Sequence, residues 1–114
     1  MKPKVYGIRN CDTMKRAFAW LDEHKVAYDF HDYKKEGVPL EELKAWAAQV
    51  GWEKLANTRG PTWRKIPDEK KVGLNEARAL ALLEQNSSAI KRPVVEAGSK
   101  LLVGFDPAQF EATF

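Results

Sequence analysis

Cysteine is nearly absent from the chain. Its 114 residues hold one, Cys11, so no disulfide can close within it, and the stapled framework of small secreted domains is excluded. Histidine is scarce as well. His24 and His31 form no zinc-binding spacing with the single cysteine, and neither carries a signature that would make it the base of a cysteine hydrolase. Both are expected at the surface, and no metal site is expected. No apolar run approaches the roughly 18 residues that span a bilayer, and the opening MKPKVYGIRN lacks the apolar stretch of a secretory signal. A cytoplasmic protein without a membrane partner is expected, in a compartment whose reducing conditions leave the thiol free. Charge of one sign is not concentrated either. The 19 Lys and Arg are interspersed with 16 Asp and Glu for a net +3, so no basic arm for nucleic acid stands out. A sequence pI near 9.0 keeps small anions as the expected ligands.

What remains is an ordinary globular composition, 44% hydrophobic and 31% charged, in a length that suits one domain over residues 1–114. Lys4 to Ile8 is a short β-branched and aromatic run. After Arg9-Asn10, Met14, Ala17, Phe18 and Leu21 recur at spacings of three and four, which predicts strand, tight turn and helix. Asn10 is the expected cap, placing Cys11 in the first helical turn. Val26 to Tyr33 alternates as a second strand before Lys34-Lys35-Glu36-Gly37, completing a βαβ unit with parallel strands and a right-handed crossover.

A second helix is predicted from Pro39 to Val50, with Leu40, Leu43, Trp46, Ala47 and Val50 on its apolar face. Residues 58–64, Thr-Arg-Gly-Pro-Thr-Trp-Arg, are dense in breakers and predict irregular backbone. Asn75 to Gln85 resumes a helix on Ala77, Leu80, Ala81 and Leu83. Trp46 and Trp52 read as core, whereas Trp63 in the breaker-rich loop is placed at the border of a pocket. Pro93 to Glu96 and Lys100 to Phe105, split by Ala97-Gly98-Ser99, predict a β-hairpin, and Asp106-Pro107 opens a terminal helix. The order βαβ, helices, ββα is that of an α/β, thioredoxin-like fold with a mixed four-stranded sheet and a helical insertion at about residues 38–88.

The chemistry centres on Cys11. A free thiol with a pKa of about 8.5 is mostly protonated at neutral pH, and the thiolate is the nucleophile. A helix N-terminus aims unpaired N–H groups at the sulfur, and Arg9 adds a nearby cation, so a depressed pKa is expected. The polar neighbours Asp12 and Thr13 favour a site mouth over the inert, buried setting common for free cysteine.

Three motifs then stand in order: Tyr6-Gly7-Ile8-Arg9-Asn10-Cys11-Asp12-Thr13-Met14-Lys15, Asn57-Thr58-Arg59-Gly60, and Ile90-Lys91-Arg92-Pro93-Val94-Val95. Across essentially the whole chain they resemble the ArsC (arsenate reductase) family, in its Spx/YffB-type branch. The resemblance implies a nucleophile at Cys11, a pocket in which Arg59 and Arg92 bind an oxyanion or thiol substrate, and Pro93 as a cis-proline beside the cysteine. Guanidinium groups suit these roles because they present paired donors to oxyanions and carboxylates. Asn10, Thr13 and Arg9 are further candidates for contacts to sulfur or substrate.

Two departures from the family pattern shape the expected activity. Asp106 stands where arsenate reductases carry a third arginine, and a carboxylate there would repel an arsenate dianion. Met14 stands where redox-switching relatives have a second cysteine, so any cycle must pass through an adduct resolved by an external thiol. The resemblance therefore implies a glutathione-dependent thiol or oxyanion reductase. Glutathione is the expected co-substrate, no tightly bound cofactor is expected, glutathione or a glutaredoxin-like protein is the expected thiol donor, and a monomer is expected. The alternative is an Spx-like regulator that binds RNA polymerase without turnover.

Overall fold

The computed structural model describes residues 2–114. Two compact units divide the chain: Met1–Gly37 with Arg92–Phe114, and Val38–Lys91. The first is the α/β unit. Its elements are strand β1 (Lys4–Gly7), helix α1 (Asp12–Glu23), strand β2 (Asp29–Asp32), the short helix α2 (Tyr33–Glu36), strands β3 (Val94–Ala97) and β4 (Lys100–Val103), and helix α8 (Pro107–Thr113). The sheet order is β2-β1-β3-β4, with β1 and β2 parallel and the other two pairings antiparallel. This is a thioredoxin-like mixed sheet.

Register explains the core of this unit. Val5 pairs with Val95 and Val95 with Leu102, so one face of the sheet carries an aliphatic row. Met14, Ala17 and Leu21 on α1 and Phe110 on α8 bury against it, with Phe18 half-buried at the margin. Each fully buried aliphatic or aromatic side chain of this kind contributes about 1.5–3 kcal/mol. On the opposite face Tyr6 pairs with His31 and Val94, and the Tyr6 and His31 ring centroids lie 5.3 Å apart.

The second unit is helical, with α3 (Leu40–Val50), α4 (Trp52–Leu55), α5 (Pro61–Lys65), α6 (Asp68–Lys71), α7 (Glu76–Gln85) and a 3-10 turn at Ser87–Ala89. Leu43, Trp46, Leu55, Trp63, Ile66, Leu80 and Leu83 are buried in it. An antiparallel bridge between Ala56 and Ile90 closes the unit, flanked by hydrogen bonds from Asn57 N–H to the Ala89 carbonyl and from Lys91 N–H to the Leu55 carbonyl, both at 2.7 Å.

Several expectations are corrected. The second strand is four residues, Asp29–Asp32, because Tyr33 already begins α2, whose N-cap Asp32 accepts from Lys34 N–H at 2.9 Å. The breaker-rich stretch is not wholly irregular: Gly60 caps α5 and Pro61 occupies its first position, where proline's fixed φ suits a helix. Trp63, on this turn, is 7% exposed and packs near Trp52. On α7 the buried residues are Ala79, Leu80, Leu82 and Leu83, while Ala77 and Ala81 face out. Alanine is too small to mark a buried face by itself. His31 is half-buried, its Nε2 2.8 Å from the Gly37 carbonyl, which makes it a turn-holding residue.

Candidate active site

The strand directions gather one edge of the sheet. The C-terminal ends of β1, β2 and β4 and the start of β3 lie together there. Cys11 follows β1, Tyr33 follows β2, Arg92 and Pro93 precede β3, and Gly104 follows β4. The Arg92–Pro93 peptide bond is cis, and Gly104 N–H donates to the Pro93 carbonyl at 2.8 Å. Gly7 lets β1 press against α1 just ahead of the cysteine. A β-carbon there would sit 2.6 Å from the Met14 sulfur, and Met14 is fully buried.

Cys11 itself, not Asn10, is the N-cap of α1, with φ −147° and ψ 134°. This corrects the expected cap, and the difference matters chemically: an N-cap side chain is placed to accept from the amides of the second and third helical residues. Those residues are Thr13 and Met14. The sulfur closes no strict cap hydrogen bond, yet both N–H groups are near enough to stabilise its anion. Arg92 Nε donates to Cys11 Sγ at 3.3 Å. Partial burial pushes the thiol pKa up, but the Arg92 hydrogen bond, the Met14 amide, the Arg92 charge and the Thr13 amide outweigh it and hold the pKa below the ordinary thiol value.

The remaining candidates take different positions. Arg9 is exposed, its guanidinium 5.0 Å from the Phe30 ring centroid in a cation–π contact, although its carbonyl accepts from Cys11 N–H at 3.1 Å. The Thr13 hydroxyl accepts from Arg16 Nη2 at 3.4 Å, so Thr13 serves the sulfur through its backbone. Asn10 is exposed beside the cysteine. The Asp106 carboxylate, expected to repel a dianion, caps α8 by accepting from Ala108 N–H at 3.0 Å. Arg59 belongs to the helical unit, where it lines a cavity of about 450 Å³ with Glu53, Ala56, Asn57, Thr58 and Lys91.

Sequence reasoning missed two features. Lys91 sits inside the third motif, immediately before Arg92, and its charge was the signal available. Tyr33 gave no signal. Its hydroxyl is buried with no hydrogen-bond partner among the described residues. Burial first, then Tyr6 and Glu96, push its pKa far up, opposed by Arg92, so the phenol keeps its proton. Tyr6 donates to Glu96 Oε1 at 2.8 Å on the same sheet face.

Comparison with known proteins matches this architecture. The ArsC family model aligns with residues 6–113. A solved YFFB protein is 50% identical, covers 98% of each chain and superposes with a TM-score of 0.95. An arsenate reductase (ArsC) related protein from Brucella melitensis is 48% identical with a TM-score of 0.78, over 98% of this chain and 93% of its own. The global transcriptional regulator Spx of Enterococcus faecalis is 29% identical over 105 residues, 90% of this chain and 78% of Spx. With the family model spanning nearly every residue and the cysteine, cis-proline and mixed sheet in place, the chain belongs to the ArsC family.

Proposed function

We propose that the protein is a glutathione-dependent thiol reductase in which Cys11 is the nucleophile. The observation that carries this reading is the 3.3 Å hydrogen bond from Arg92 Nε to the sulfur of an N-cap cysteine, an arrangement that favours the thiolate over the thiol. In the first step the Cys11 thiolate attacks the glutathione sulfur of a mixed disulfide. A Cys11–glutathione disulfide forms, the substrate's S–S bond breaks, and the substrate leaves as a thiolate that takes a proton from water. In the second step a glutathione thiolate attacks the sulfur of the glutathione held on Cys11, forming oxidised glutathione and returning the Cys11 thiolate. The chain's lack of a second cysteine requires that external thiol. Arg92 stabilises the leaving and resting forms of Cys11, and Arg59 contributes a guanidinium for an anionic group of the co-substrate.

The test is reduction of a glutathione mixed disulfide, with oxidised glutathione read out by a coupled NADPH assay. Turnover that disappears in Cys11→Ser supports the reading; wild-type protein without turnover over the uncatalysed rate refutes it. Arsenate reduction ranks lower, since Asp106 replaces an expected arginine. The likeness to Spx favours one second reading, a regulator that binds RNA polymerase without turnover. A stable complex with polymerase that survives Cys11→Ser would favour it.

A further inference from the structure

Gly37, Gly51, Gly73, Gly98 and Gly104 hold a positive φ, the conformation that favours glycine. Gly7 does not. It ends strand β1 in ordinary strand backbone, where glycine packs nothing and weakens the sheet. Space is what excludes a larger residue there. A β-carbon on Gly7 would meet the Met14 sulfur at 2.6 Å, the Met14 methyl carbon at 2.7 Å and the Arg92 β-carbon at 3.5 Å.

Those two neighbours carry donors on which the Cys11 sulfur depends. The Met14 amide faces the sulfur, and Arg92 Nε donates to it at 3.3 Å. The packing of both residues is therefore decided at Gly7: the thioether of one fills the room over the glycine, and the stem of the other closes its edge. The end of a methionine is adaptable and would ordinarily swing away from an added methyl group. Here it is shut in. Met14 is fully buried in the cluster that holds Val5, Ala17, Leu21, Val95 and Phe110, and a close-packed interior passes a displacement on to whatever adjoins it. What adjoins it is the first turn of α1 and the Arg92 stem. Hydrogen bonds weaken steeply as their geometry is lost, so a small shift of either donor reaches the thiolate.

We propose that Gly7 and Met14 are positioning residues for the Cys11 nucleophile: the Met14 thioether, seated over Gly7, fixes the first turn of α1 and the stem of Arg92, and through them the donors that face the sulfur. Neither side chain has to touch substrate. The inference rests on Cys11 as the nucleophile of the proposed reductase, but alkylation reads it with no glutathione present.

The test is the pH dependence of iodoacetamide labelling of the full chain. Gly7→Ala, which strikes the thioether, should label at least about threefold more slowly at pH 7, with its midpoint above that of wild type. Met14→Ala, which empties the seat, should also raise the midpoint. In Gly7→Ala/Met14→Ala the new methyl group has nothing to strike and fills part of the space left, so its midpoint should lie nearer to wild type than that of either single variant, although its core has lost volume. A core that is merely loosened exposes the thiol without bringing the midpoint back. A wild-type midpoint in Gly7→Ala or in Met14→Ala overturns the proposal, as does a double variant no nearer to wild type than the single ones. If melting curves show that Gly7→Ala does not fold, Met14→Ala decides alone. Mixed-disulfide turnover with unmoved midpoints would leave the reductase standing without this positioning; midpoints that move as expected in a protein without turnover would keep the positioning and remove the reductase.

Discussion

The two units of the chain use opposite means to hold charge. In the α/β unit the thiol is drawn into a web of backbone and side-chain donors. Cys11 caps α1, the Thr13 and Met14 amides face its sulfur, and Arg92 Nε donates to it at 3.3 Å. In the helical unit, Glu53, Arg59 and Lys91 are exposed around a cavity, and among the described residues no ion pair joins them. A nucleophile must be poised before substrate arrives, so its surroundings are built into the fold. Groups that recognise a ligand retain their bonding capacity for it. The difference is between a thiol whose donors are built into the fold and charges left to solvent.

Substitutions can break or sharpen that contrast. The largest effect is expected from Cys11→Ser, which should remove mixed-disulfide turnover and all iodoacetamide labelling. Arg92→Leu should slow labelling at pH 7 by about tenfold, because the thiol pKa returns toward its ordinary value of about 8.5. The pH dependence of labelling checks this: the wild-type midpoint lies below that of the variant. The sign for stability follows. The folded pKa of Cys11 is depressed, so its contribution is present above the unfolded value and is lost as pH falls through the folded one. Arg59→Gln, by contrast, should leave the labelling midpoint where it is and raise the KM for glutathione. If Arg59→Gln also shifts the midpoint, the contrast between the two units fails.

Packing offers the next test. Trp46→Ala in the helical unit and Phe110→Ala in the α/β unit each empty a site no more than 1% exposed, and each should cost about 3–5 kcal/mol in denaturant unfolding. A smaller effect is expected at Asp106. Asp106→Ala removes the α8 cap and should cost about 1 kcal/mol, without changing reactivity toward anionic thiols. Faster reaction with anionic thiols in that variant would mean that the carboxylate acts on substrate instead.

The smallest effect distinguishes burial from function at Tyr33, which is 3% exposed with an unpartnered hydroxyl. Tyr33→Phe removes a polar group that gains nothing from the fold, so thermal unfolding should show unchanged or slightly greater stability. Its phenol pKa is raised in the folded state. Stability should therefore fall as pH rises above about 10, where the unfolded tyrosine ionises and the folded one does not. The variant should lose that part of the decline.

Much of the α/β unit was legible in the sequence because its signals are local. The spacing of Met14, Ala17 and Leu21 marks the buried face of α1, Asp106-Pro107 marks the start of α8, and the paired apolar runs mark the hairpin. The helical unit was less legible. Its helices are short, four or five residues in α4, α5 and α6, too few for a period to show. The burial of Trp63 was hidden for the same reason. Gly60 and Pro61 look like breakers, but they act as the cap and first residue of a helical turn that buries the ring.

By itself the sequence determined that any thiol chemistry of this chain falls to one cysteine, and that a strand would carry Cys11 into a helix. These follow from counting residues and from local periodicity. Only the tertiary structure decided that Cys11 is itself the cap, that Arg92, 81 residues away, reaches its sulfur, and that Lys91 and Glu53 share a cavity with Arg59. Such meetings depend on strand direction, register and the Ala56–Ile90 bridge, which join positions distant in sequence and leave no trace in any short stretch of the chain.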